Sequence, residues 1–329
     1  MGQKNVSLKT IALACGVSVN TVSHALRDMK DVSPATKALV RKKAIEFGYM
    51  PNHMATSIKA DEKPVVGFLL NSFDNLYYNL FCKEMSGLVS ENKEYAFSIL
   101  CSSSKEQVTE MDIKLCVLQR IDLLITHIPP SQAALELAKI NHIEIIVIGG
   151  THDDNEYDSI AIDNEMGCIL AAKYLSNFHS HHRFIYVGIN YFLSDMRFEL
   201  FKNEMMTFQD CAVINFNMEE RSIVDLYQYI LEGYRSIFFY NDSTAYEVLN
   251  QLDKLVVDIR RLYPDLHLVG FDGLCKYIPG LRQISSISVD FKDYAKQVYA
   301  LIKNRLERPQ SPYESVVLPV GLYQRLKAE

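Results

Sequence analysis

The sequence predicts a small all-α head followed by a large α/β body made of two parallel-sheet lobes. Three observations carry that expectation. The chain has 329 residues, more than the roughly 250–300 over which a single core keeps growing. Its net charge of −6 is unevenly spread, with about +5 in residues 1–63 and about −11 in the remainder. Helical periodicity fills the first fifty residues, and from Pro64 onward short apolar runs alternate with helical stretches. With 48% hydrophobic and 22% charged residues, the composition excludes disorder and low complexity. Seven scattered cysteines without a C-x-x-C pair argue against both a disulfide framework and a zinc site. There is no run of about 18 apolar residues, and MGQKNVSLKT lacks the apolar core of a secretory leader, so the expected location is the cytoplasm, with no membrane partner.

In the head, Leu8, Ile11, Ala12 and Cys15 recur at helical spacing behind Ser7, which can cap the first turn. Gly16 follows, suited to positive φ, and Ser18 then opens a second stripe of Val19, Val22 and Leu26. Two helices joined across three residues form a helix-turn-helix, whose second helix must turn Asn20, Thr21, Ser23, His24 and Arg27 outward. Ser33-Pro34 announces a third helix that runs past Phe47 to Gly48. On shape alone this is equally an ordinary three-helix bundle with a solvated face. Side-chain chemistry favours DNA. Asn pairs with adenine in the major groove, His and Arg donate to guanine, hydroxyls suit phosphates, and Arg41, Lys42 and Lys43 add phosphate attraction.

The segment VSLKTIALACGVSVNTVSHAL, with GYMPN downstream, resembles the head of the LacI/GalR (lactose-repressor) family of bacterial transcription regulators, whose pattern includes A-G-V-S-x-x-T-V-S-R and G-Y-x-P-N. The resemblance implies that residues 1–50 bind DNA and that Val19 and Asn20 take the variable base-reading positions. It puts His24 where the family usually has Arg. Residues 51–63 correspond to the family's hinge, with Asn52 and the run Ala55-Thr56-Ser57-Ile58. A helix that short orders only against a partner. The resemblance implies that Ile58 enters the minor groove as an apolar wedge. The other reading of this stretch is a plain linker.

In the body, apolar runs at Val65–Leu70, Tyr95–Cys101, Leu123–Thr126, Ile145–Ile148, Phe184–Gly188, Ile237–Tyr240 and Leu268–Phe271 alternate with helical segments, the pattern of parallel sheets covered by helices. Ser159–Asn164 reads as a crossing between lobes and Ser286–Asp290 as the return. One lobe is therefore expected at about 64–162 with 290–320, and the other at about 163–289. The resemblance continues more loosely through SHHRFIYVG, SIFFYNDSTAYEVL and LVGFDG. It implies a type I periplasmic-binding-protein-like body with a small molecule held at the carboxyl ends of the strands. Motif matches nominate Arg197, Asn241 with Asp242, and Asp272 for that ligand, with Phe73, Tyr77 and Tyr78 as aromatic platforms. An arginine fork and a carboxylate suit the adjacent hydroxyls of a sugar. The alternatives are a loop-capping Asp272, a structural ion pair at Arg197, and core aromatics. Gly149-Gly150 stands where the family often has Asp-Arg, which points to a reshaped pocket.

No phosphate loop, dinucleotide fingerprint or nucleophile elbow is present, and the spacing of His179, His181 and His182 does not suit a metal site, so neither enzymatic activity nor a cofactor or metal is expected. The resulting expectation is a repressor that binds a pseudo-palindromic double-stranded DNA operator as a homodimer. A small molecule controls it, a sugar or sugar derivative first and a nucleobase second. The rival is a soluble carbohydrate-binding protein whose basic head docks another protein.

Overall fold

The computed structural model describes residues 7–26, 29, 31–47, 49, 63–149, 156–178, 183–208, 210–256, 258–281 and 284–324. The expected hinge residues Asn52, Ala55 and Ile58, together with Arg27, Gly150 and His179 to His182, lie outside them.

The head contains α1 (Leu8–Cys15), α2 (Val19–Leu26) and α3 (Pro34–Glu46). Ser7 and Thr10 form a reciprocal capping box on α1, and Gly16 closes it at φ +64°, a conformation that costs a side-chain-bearing residue more than glycine. Ser33 caps α3 ahead of Pro34, whose missing N–H is no loss in the first turn. The three helices enclose Ile11, Ala12, Val22, Ala25, Val32, Val40 and Ala44.

The first α/β sequence runs β1 (Val65–Leu70), α4 (Leu76–Asn92), β2 (Ala96–Cys101), α5 (Glu110–Leu118), β3 (Leu123–Thr126), α6 (Gln132–Ile140), β4 (Glu144–Ile148) and β5 (Asp158–Ile162). The second runs α7 (Asn164–Ser176), β6 (Arg183–Gly188), α8 (Phe192–Met205), β7 (Ala212–Asn217), α9 (Ile223–Leu231), β8 (Ser236–Phe239), α10 (Asp242–Val256), α11 (Ile259–Leu262), β9 (His267–Phe271) and β10 (Ser285–Ser288). The chain then continues through α12 (Phe291–Glu307), β11 (Ser315–Leu318) and β12 (Gly321–Tyr323). Two sheets result, ordered β11-β5-β4-β3-β1-β2 and β12-β10-β9-β8-β6-β7. In each, the first strand of its α/β run lies between the second and third, so the strand order reverses there. Such a switch point opens a crevice at the carboxyl ends, where doubly wound sheets take ligands.

The central strands are buried on both faces, which is why they read as unbroken apolar runs. The edge strands β2 and β7 each bury a single position, the others being half-buried or exposed. β7, β11 and β12 escape the apolar-run reading for that reason. The chain divides into two compact units, residues 1–161 with 295–316 and residues 162–294 with 317–329. It therefore crosses three times, within β5, α12 and β11. The stretch around Ser286 is a strand, β10, paired in parallel with β9.

Within the first unit, one ion pair ties the late segment to the sheet. Arg305 donates from Nε and Nη2 to the two carboxylate oxygens of Asp158, both at 2.7 Å, and its remaining protons reach the carbonyls of Pro309, Ser311 and Pro312. Glu314 N–H also donates to Asp158. Both side chains are only 2% exposed, so removing either partner strands a charge away from water. Arg305→Met should cost about 3–5 kcal/mol. Adding Asp158→Asn should recover part of that loss, giving a double variant less destabilised than the two single changes added together, as measured by urea unfolding.

Candidate DNA interface and effector site

On α2 the side chains are sorted by the helical repeat of about 100° per residue. Val22 and Ala25 are buried, while Ser18, Val19 and Asn20 are exposed and Thr21, Ser23 and His24 half-buried. Asn20, Ser23 and His24 therefore share the face opposite the head's core. Ser18 caps the helix by accepting from Thr21 N–H at 3.0 Å, and its hydroxyl meets that of Thr21 at 2.8 Å. These two residues hold the helix start as well as facing outward. His24 Nδ1 lies 2.6 Å from Oδ2 of Asp31, in the turn before α3. That hydrogen bond holds the Asp31 carboxyl below its usual range. Asp31 is a site residue that the sequence reading did not single out.

In the first unit, the switch point lies between the loops that follow β1 and β3. Phe73, in the first of these loops, is 58% exposed. Tyr78, on the first turn of α4, stacks on His127 with centroids 4.1 Å apart. His127 follows β3, and within 3.5 Å neither of its ring nitrogens meets a partner among the described residues. Burial pushes its pKa down to about 4, so the ring is neutral at pH 7. Gly149, at the end of β4, has φ +75°, and a Cβ there would lie 3.4 Å from the Tyr78 hydroxyl. Tyr77, the neighbour of Tyr78, is a core residue. A cavity of about 300 Å³ at the amino end of β4, lined in part by Lys139, Glu144 and Tyr313, contains none of the nominated residues.

In the second unit, Arg197 on α8 is only 2% exposed. Its Nε donates to Asn164 Oδ1 at 2.9 Å and its Nη1 to the Tyr240 carbonyl at 2.7 Å, and the guanidinium lies 3.5 Å from the centre of the Phe271 ring. Arg197 thus joins the start of α7 to the ends of β8 and β9, while no hydrogen bond to Nη2 occurs among the described residues. Asn241 accepts from Thr244 N–H at 2.8 Å, capping α10 with its carbonyl and leaving its amide N–H₂. Its neighbour Asp242 is fully buried, receiving Ser286 Oγ–H and Cys275 N–H, and burial drives its carboxyl well above the ordinary range. Gly270 makes room for it, since a Cβ there would stand 1.9 Å from Asp242 Oδ1.

Asp272 differs from both. Immediately after β9 it adopts φ 104°, a strained conformation for an L residue, and among the described residues no hydrogen bond reaches its carboxylate. Desolvation raises its pKa to about 7, although Arg197 opposes the rise. Phe73 and Tyr78 thus lie at the carboxyl end of one sheet, and Arg197, Asn241 and Asp272 at the carboxyl end of the other.

Comparison with known proteins gives three kinds of likeness. Residues 7–52 match the family model described as bacterial regulatory proteins, lacI family. Over 280 residues, covering 82% of each chain, the sequence is 24% identical to the HTH-type transcriptional repressor PurR of Vibrio atlanticus (strain LGP32). The fold is similar to that of the lac repressor dimer bound to operator and the anti-inducer ONPF, with a TM-score of 0.66 at 18% identity over 98% of both chains. It is also similar to that of a LacI family transcriptional regulator from Enterococcus faecium with bound ribose, with a TM-score of 0.65 at 18% identity over 80% of this chain and 98% of that one.

A carboxyl group whose pKa rises on folding keeps its proton where the unfolded chain has lost it. Stability therefore falls as pH rises from about 4 through about 7. Asp272→Asn should raise the melting temperature at pH 8, by on the order of 2 kcal/mol in stability, with the gain shrinking toward pH 4. Calorimetry across that range checks this, and a gain independent of pH would exclude the carboxyl as its source.

Proposed function

We propose, from the premise that the chain belongs to the lacI family of bacterial regulatory proteins, that it is a non-catalytic cytoplasmic repressor. It binds a pseudo-palindromic operator as a homodimer and is controlled by a small molecule, a sugar or sugar derivative before a nucleobase. The observation that carries this reading is the sorting of α2, which buries Val22 and Ala25 and turns Asn20 and His24 away from the core. A helix so exposed can enter the major groove, where Asn20 meets an adenine edge with both donor and acceptor, while Ser23 and the α3 cations meet phosphates. Two-fold symmetry in the dimer matches two half-sites about one helical turn apart.

Support for the effector comes from Asp272. A half-buried, strained carboxylate without an internal donor among the described residues is suited to accept hydroxyls from a ligand, beside the fixed cation of Arg197. The Asn241 amide supplies a further donor. In the first unit, Phe73, Tyr78 and the uncharged His127 stand at the carboxyl end of the sheet as aromatic platforms. Ligand binding changes operator affinity by a coupling of about 1–3 kcal/mol. The hinge around Asn52, Ala55 and Ile58 is the element through which the body acts on the heads.

Selection of binding sites from random duplex DNA should yield an inverted repeat, and Asn20→Ala should relax preference at one position of each half-site. Affinity should fall by about two orders of magnitude or more between 50 and 200 mM salt, the slope expected when several phosphates are neutralised. A head that docks another protein would give no enriched motif and no such slope. In a thermal-shift screen of pentoses, hexoses and nucleobases, whichever compound stabilises the wild-type protein should fail to stabilise Asp272→Asn.

A further inference from the structure

His24 holds its ring by one nitrogen, and the chemistry of that contact decides what the other can offer. Asp31 is a carboxylate held below its usual pKa range, so it can only accept. Nδ1 must therefore carry the proton of the 2.6 Å contact. Among the described residues no hydrogen bond engages Nε2, and His24 shares the outward face of α2 with Asn20 and Ser23. When the ring carries both protons, Nδ1–H serves Asp31 and Nε2–H is left over. In that form Nε2–H is a donor directed away from the head. The donor matches the two acceptors, N7 and O6, that guanine presents in the major groove.

We propose that Asp31 is the positioning residue of a His24–Asp31 pair that reads guanine through Nε2–H, with both ring nitrogens carrying protons in the reading form. This rests on the DNA-binding reading above. Among the described residues, the charged groups that act on Asp31 are His24 itself and Lys37 of α3. Arg27, Asp28 and Lys30 lie outside the described residues. Because the reading form carries both ring protons, guanine preference is strongest at low pH and falls as pH rises.

The test is binding-site selection with the full-length protein at pH 6 and pH 8, followed by affinities for the selected duplex and for its variants at the position read by His24. The expected result is guanine there at pH 6, with its advantage over the other bases falling about tenfold by pH 8. Asp31→Asn should weaken that advantage and shift its pH profile, while leaving the adenine preference set by Asn20 in place. His24→Arg should restore guanine preference without pH dependence and without need of Asp31, a rescue that a merely structural Asp31 would not give. Cytosine or adenine at that position, or a guanine preference unaltered by both pH and Asp31→Asn, overturns the proposal while leaving DNA binding standing. Failure to select any motif overturns the DNA-binding reading itself.

Discussion

A charge taken out of water must be matched by partners held in place, and both α/β units are arranged around this constraint. Arg305 is enclosed by Asp158 and three carbonyls, and Arg197 by Asn164, the Tyr240 carbonyl and the face of Phe271. Asp242 is held by Ser286 and an amide N–H. Each of these groups joins segments distant in sequence, so local geometry around the switch-point loops is set by polar contacts as much as by the apolar core. Asp272 departs from the pattern. It is only half-buried, no hydrogen bond reaches its carboxylate among the described residues, and its backbone is held where few side chains are stable.

Much of the fold is legible in the sequence because central parallel strands must be apolar on both faces, and Val65–Leu70 and Leu123–Thr126 announce themselves in that way. The edge strand Ala212–Asn217 does not, since only part of it is buried and its run is broken by Asn215. Strand order is invisible to any local pattern, yet it places the loops after β1 and β3, and after β6 and β8, at the switch points. His127 illustrates the loss. A single histidine between Thr126 and Ile128 carries no motif, and only the order of the sheet puts it against Tyr78.

The same distinction separates neighbours that look alike in sequence. Asn241 and Asp242 both open a helix and both carry short polar side chains, but one caps α10 with amide protons to spare and the other is locked beneath Gly270. In the head, helical period sorts α2 into inner and outer faces without help from the fold. It gives no hint of Asp31, because a partner seven residues away across a turn follows no periodicity. What the sequence conveyed was therefore the face, and what it left out was the partner of a group on that face.

The gap at position 270 binds two places on the chain to one another. With Asp242 Oδ1 occupying the space a methyl would need, neither site can drift independently through evolution. A larger residue at 270 becomes tolerable only after the acid at 242 has been shortened or withdrawn, and such a chain would have to reconnect the start of α10 to Ser286 and Cys275 by other means. Related repressors that carry alanine at the first position should accordingly be found without an aspartate at the second, a pairing that marks which of them share this way of fastening the sheet's mouth.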